Sequence, residues 1–188
     1  MIPNARQVHL NALEFVFYAT VKFGFKISRS KFDVDRSTNM IPPPKLKAFA
    51  EFRTPSSCAE SVSRLGVLAY YARYIPIMKL VAHPIQVMAQ SGVFAWSELH
   101  KQSWSCLKML ACLGFEMNVI DSTRPIYYAC DSSQISCAFI AYQISTEGEI
   151  LLISMDCRIL KLADRHKPAA FRELLALMFC LMSNEHET

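Results

Sequence analysis

Near residue 125 the apolar residues change period, so a purely helical or purely β fold cannot accommodate the whole chain. Before that point they recur at helical spacing. Val8, Ala12, Phe15 and Ala19, widened by Leu13 and Phe17, predict an amphipathic helix over 5–23, with Gly24 placed to end it. After it, the runs 125–130, 136–144 and 149–155 have strand character, and Thr146-Glu147-Gly148 makes a turn between the last two, which predicts a meander. The run 169–182 lacks Pro and Gly and gathers Leu174, Leu175, Leu177, Met178, Phe179, Leu181 and Met182, predicting a largely buried helix. Helices followed by three strands and a helix point to an α-rich part and then an α+β or α/β part, dividing near 114–124.

Within the first part, Phe25-Lys26-Ile27 reads as a short strand and 28–39 as a polar connection. Pro42-Pro43-Pro44 fits neither a helix interior nor a central strand and marks a boundary. A short helix is expected over 44–53 and a longer one over 58–74, opened by the capping-box pattern Ser57-Cys58-Ala59-Glu60 and stopped before Pro76. Another is expected from just after Ser97 to about Cys112, with Trp104, Leu107, Met109 and Leu110 as its bulk.

Apolar residues make up 52% and charged residues 19% of the chain, a balance that buries a core and excludes wholesale disorder. The stretch nearest to a membrane span, 80–97, is interrupted by His83, Pro84, Gln86 and Gln90, and the first ten residues lack the pattern of a secretion signal. The seven cysteines are odd in number and include no C-x-x-C pair. A zinc site or disulfide framework is therefore not expected, and the chain reads as intracellular, cytoplasmic or nuclear, and not secreted.

Charge is unevenly distributed. Residues 1–53 carry nine Lys/Arg against four Asp/Glu, 54–110 five against two, and 111–188 six against ten. A basic first part suits a polyanion, and it equally suits a solvated surface. No nucleotide-loop, dinucleotide, serine-elbow or zincin motif is present. Two acids within apolar elements stand out instead: Asp131, after Tyr127-Tyr128-Ala129-Cys130, and Glu173, within Phe171-Arg172-Glu173-Leu174-Leu175. Such a pair could form a hard oxygen site for Mg²⁺, or Asp131 could cap a turn while Glu173 faces solvent. The five histidines are scattered and read as surface or packing residues, and Tyr70, Tyr71 and Tyr74 as core and interface aromatics.

The run Leu65-Gly66-Val67-Leu68-Ala69-Tyr70-Tyr71-Ala72-Arg73-Tyr74-Ile75-Pro76 resembles the L-G-x-x-x-Y-Y-x-R-F-I-P signature of gypsy-type LTR retrotransposon polymerase polyproteins. In register around it, Pro43 to Phe49 with Pro55 resembles the P-x-K-x-x-A-I…P-x-P lead-in. Pro84-Ile85 is similar to A-P-L, and Phe94-Ala95-Trp96 through Lys108 to F-x-W…A-F-x-x-L-K. Downstream, Cys130-Asp131-Ser132-Ser133 resembles T-D-A-S, Gln143 the Gln of L-x-Q, Arg158-Ile159-Leu160 S-R-x-L, and Glu173 to Ala176 E-L-L-A. Upstream, His9-Leu10 and Gly24 to Lys31 are similar to the last palm helix and to G-L-K-L-N-P-x-K.

This resemblance implies the end of a reverse-transcriptase palm over 1–41, a helical thumb and connection region over 42–114, and a truncated ribonuclease H-like domain over 115–188. The implied fold is α+β, with an incomplete RNase H-like mixed sheet and one packed helix. In the family two metal ions held by four carboxylates cut the RNA strand of an RNA–DNA hybrid. Carried over, Asp131 and Glu173 are the first two metal-binding, catalytic carboxylates. The polymerase Y-x-D-D pair and the T-D-H-K-x-L acid have no counterpart in the chain, and Ser136 and Ala138 replace family glycines.

The reading that follows is a remnant that binds RNA–DNA hybrid or other nucleic acid without being competent to cleave it. Lys22, Lys26, Arg29, Lys31, Lys45, Lys47 and Arg73 are the candidate backbone contacts, and Mg²⁺ is the implied cofactor, weakly held. The alternative is a non-catalytic, domesticated interaction module that keeps the fold. An incomplete sheet leaves an open edge and an uncovered face, so self-association, or a partner chain completing the sheet, is expected.

Overall fold

A computed structural model of the protein describes residues 5–24 and 37–184. The chain divides into two units, Met1–Arg36 and Ser37–Thr188. The first contains α1 (Ala5–Lys22), closed as expected by Gly24 at φ +71°, a left-handed conformation that glycine adopts without steric cost. Phe15, Tyr18 and Val21 of α1 are exposed, and the Lys22 ammonium lies over the Tyr18 ring at 5.7 Å. The strand expected at 25–27 lies outside the described residues.

In the second unit α2 (Pro43–Ala50) starts on two prolines, whose fixed φ suits a first helical turn. α3 (Cys58–Tyr70) begins at Ser57, whose hydroxyl accepts the Glu60 N–H at 3.1 Å, the expected half of a capping box. The other half is displaced by one residue, because the Glu60 carboxylate accepts from the backbone N–H of Ser56 at 2.7 Å and from its hydroxyl at 2.8 Å. The helix expected to reach residue 74 tightens into a 3₁₀ turn at Ala72–Tyr74.

Next comes a helix that the sequence did not predict, α4 (Met78–Gln90), with Pro84 inside it. A proline there loses one backbone bond and costs about 3 kcal/mol. The helix persists because Met78, Ala82, Ile85, Met88 and Ala89 are buried along one side. α5 (Glu98–Cys112) begins at Ser97, which exchanges hydrogen bonds with His100, so this histidine serves as a cap. The four helices enclose a core of Ile41, Phe49, Leu68, Ile75, Ile85 and Leu107. Phe49 meets Phe52 and Tyr71 edge to face at 5.5 Å, and Phe52 stacks on Trp104.

The predicted meander is present as β3 (Tyr127–Ser132), β4 (Ser136–Ile144) and β5 (Ile150–Ile159), preceded by a two-residue ladder of β1 (Thr38–Asn39) on β2 (Met117–Asn118). The sheet is antiparallel throughout, not mixed as expected. A parallel neighbour needs a crossover connection, whereas tight turns join these three strands. Alternate residues of β4 serve different layers. Cys137 and Phe139 pack with Leu160 and with Ala176, Phe179 and Cys180 of α7 (Ala169–Asn184). Ala138 and Ile140 line a cavity under the 3₁₀ turn and the start of α4. α6 (Leu162–Arg165) is a single turn before α7.

The expectation that α7 is largely buried is corrected. Leu174, Leu177, Met178, Leu181 and Met182 are exposed, because only one side of the helix meets the sheet. Among the described residues no helix is long and apolar enough to cross a membrane.

Gln143, matched above to the family's L-x-Q, is fully buried and has a structural role. Its Oε1 accepts from Asp121 N at 3.0 Å, and its Nε2 donates to Asp121 O at 2.8 Å and Arg124 O at 3.0 Å. The Asp121 carboxylate in turn accepts from the Thr123 hydroxyl and N–H, which hold its pKa below the usual carboxylate value. Gln143→Leu takes away the partner of Asp121 N and Arg124 O, while Asp121 O keeps the Arg124 N–H, so denaturant melts should show a loss of about 1–3 kcal/mol.

The acid range supplies a second test. The Glu60 pKa falls from 4.5 to about 2, first through its bonds from Ser56 and then through Arg64. A carboxylate whose pKa is lowered by folding stabilises above its unfolded value and loses that contribution as pH falls toward the folded one. Between about pH 4.5 and 2 the wild type should therefore lose more stability than Glu60→Gln, as read by urea melts at each pH.

Candidate nucleic-acid interface

The two acids singled out in the sequence stand on elements that pack together, α7 against β3 and β4. Asp131 is on the edge strand β3, paired with Ala138, and its carboxylate accepts the Ser132 N–H at 2.7 Å. Its neighbour Cys130 packs beneath α7, so strand alternation turns Asp131 to the opposite face. There it lines a cavity of about 290 Å³ with Ile75, Pro76, Ile77 and Met78. Glu173 lies on α7 one turn before the buried Ala176.

Both acids are exposed, so burial does not require a cation to compensate them. Among the described residues no three His, Cys, Asp or Glu side chains gather as a metal cluster. A Mg²⁺ ion shared by Asp131 and Glu173 would take most of its six ligands from water, and this donor set does not fit a two-ion catalytic centre.

Of the predicted cations, Lys45 and Lys47 are exposed on α2, and Arg73 is exposed on the 3₁₀ turn with its guanidinium over the Tyr74 ring at 5.7 Å. Lys22 is exposed on α1, while Lys26, Arg29 and Lys31 lie outside the described residues.

The sequence reading missed a second cationic group because it missed α4. Lys79 and His83 of α4, with Arg158 of β5, border a groove of about 670 Å³ whose walls include Leu65, Gly66 and Ala69 of α3. Among the described residues, no acidic side chain lines this groove. Lys79 also bonds Asp156 at 2.6 Å and lies with Arg73 along a smaller adjoining cavity. Arg158 is held over the Phe179 ring at 4.9 Å. The signal that could have revealed the groove is the apolar spacing of Met78, Ala82, Ile85 and Ala89, which survives Pro84.

Cys157 lies under the start of α4. Burial raises its pKa, and the backbone N–H groups of Leu80 and Lys79 only partly offset that rise. All seven cysteines are free, with Cys137, Cys157 and Cys180 buried and Cys112 exposed. Because a thiolate is the reactive form, iodoacetamide should label Cys112 first in the native protein. Cys137, Cys157 and Cys180 should be labelled only after denaturant is added, as read by peptide mass spectrometry.

No protein-family model matches the sequence. Solved structures do share its fold. A foamy viral protease-reverse transcriptase in complex with double-stranded DNA matches at TM-score 0.72 and 14% identity, over 98% of this chain and 35% of its own. Another, in complex with an RNA/DNA hybrid, matches at TM-score 0.73 and 14% identity, over 98% of this chain and 27% of its own. The chain spans well under half the length of the structures it resembles. At this identity the likeness establishes the fold, the α+β arrangement of helices followed by a sheet with one packed helix.

Proposed function

We propose that the chain is a segment of a gypsy-type retrotransposon reverse transcriptase–ribonuclease H polyprotein that binds RNA–DNA hybrid or other nucleic acid without cleaving it alone. The observation that carries this reading is one continuous fold match. It runs through helices and sheet together, over 98% of the chain, to a protease-reverse transcriptase held on nucleic acid. The motif order from Gly24 to Ala176 supports the same assignment, and it alone points to the gypsy type. The exposed Lys45, Lys47 and Arg73, with Lys79 and Arg158 at the groove that His83 also borders, supply cations for a phosphate backbone. A non-catalytic interaction module is favoured by one feature, the exposed apolar side of α7.

Fluorescence anisotropy with a short labelled RNA–DNA hybrid, at about 50 and 200 mM salt, tests the proposal. Binding should weaken steeply with salt and show little sequence preference. Lys45→Glu with Lys47→Glu should weaken it on every sequence and lower the salt slope by about two. The same hybrid incubated with Mg²⁺ should stay intact. No binding at the lower salt would overturn the nucleic-acid reading in favour of the interaction module. Cleavage that Asp131→Asn abolishes would overturn the non-cleaving part.

A further inference from the structure

We propose that the cavity between the sheet and the turn into α4 binds a small organic ammonium ion, an amine whose apolar body is one aromatic ring on a short chain. The cavity measures about 290 Å³. Ile75, Ile77 and Met78 line one side of it and Ala138, Ile140 and Met155 of the sheet the other, so its walls suit hydrocarbon. An apolar cavity of about 150 Å³ is enough for benzene, so this one has room for a ring and its chain. The small Ala138, paired with Asp131 on the neighbouring strand, leaves space beside the carboxylate.

Charge selects the ligand. Among the described residues, Asp131 and Asp156 line the cavity, and no Lys, Arg or His does. Asp156 is already engaged, its Oδ2 accepting from the Lys79 ammonium at 2.6 Å and its Oδ1 from the Cys157 N–H at 2.7 Å. Asp131 Oδ1 accepts the Ser132 N–H, and among the described residues no cation pairs with its carboxylate.

An ammonium group gives Asp131 a charge-assisted hydrogen bond while its hydrocarbon body fills the apolar space behind. An anion would meet two carboxylates and no cation. A Mg²⁺ ion, which takes oxygen ligands in octahedral order, would find apolar walls in their place.

Phenethylamine, phenethyl alcohol and phenylacetate carry one ring on a similar short chain, with a positive, a neutral and a negative end. Titrated into the full chain and followed by amide chemical shifts, phenethylamine should move the resonances of Ala129, Ile140 and Met155 with a Kd of about 0.1–1 mM. Phenethyl alcohol should bind several-fold more weakly at the same residues, and phenylacetate more weakly still. Asp131→Asn, a change at an exposed side chain, should bring the amine down to the affinity of the alcohol. Ala138→Leu fills the space beside Asp131 and should abolish binding of all three, with circular dichroism showing that the variant folds; if it does not fold, Asp131→Asn decides alone. The absence of a saturable shift with the amine, equal affinity for the three probes, an amine preference that survives Asp131→Asn, or shifts confined to residues outside the cavity would each overturn the proposal.

Discussion

The contact of the 3₁₀ turn and the first turn of α4 with β5 joins the helical core to the sheet. Ile75 is buried on the helical side, and three residues later Met78 begins a helix whose first backbone N–H groups meet the Cys157 thiol. To turn the chain between them, Ile77 adopts φ 45° and ψ 24°, a left-handed conformation that costs a β-branched residue about 1–3 kcal/mol. That strain persists because both neighbouring segments are fixed by packing. The Lys79–Asp156 ion pair closes the same joint from its exposed side. The cavity lined by Asp131 and the groove bordered by His83 both take their shape from this junction.

Much of the resemblance visible in the sequence consists of packing residues. In the run from Leu65 to Pro76, Leu68 and Ile75 are core residues and Tyr71 packs on Phe49. Further on, Leu160 and Ala176 fill the space beneath α7, and Gln143 closes a turn. Such positions follow the fold more closely than the chemistry, and so the fold can be matched while Asp131 and Glu173, the two acids aligned with the family's carboxylates, stand exposed.

The limits of the sequence reading have physical causes. β4 was legible to the residue because its inward side chains alternate strictly, and α5 because a Ser cap and an uninterrupted apolar side define it. α4 was hidden by Pro84, since a local penalty was weighed without the tertiary burial that outweighs it. That omission removed Lys79 and His83 from the candidate interface. α7 was read as buried because apolar content alone does not show whether a helix has one neighbouring layer or two. The β1–β2 ladder escaped notice because two-residue strands carry no periodicity.

The β1–β2 ladder pairs Thr38 with Asn118 and so brackets α2 to α5, whose contacts with one another all lie between those two strands in sequence. A chain emerging vectorially from the ribosome can therefore collapse Ile41 to Ala111 around its own core before any residue of the meander has been synthesised. The ladder can close only after α5 is complete, and β5 then meets a finished α4. The chain order thus allows the helical core to form first, the ladder next and the contact of β5 with α4 after it.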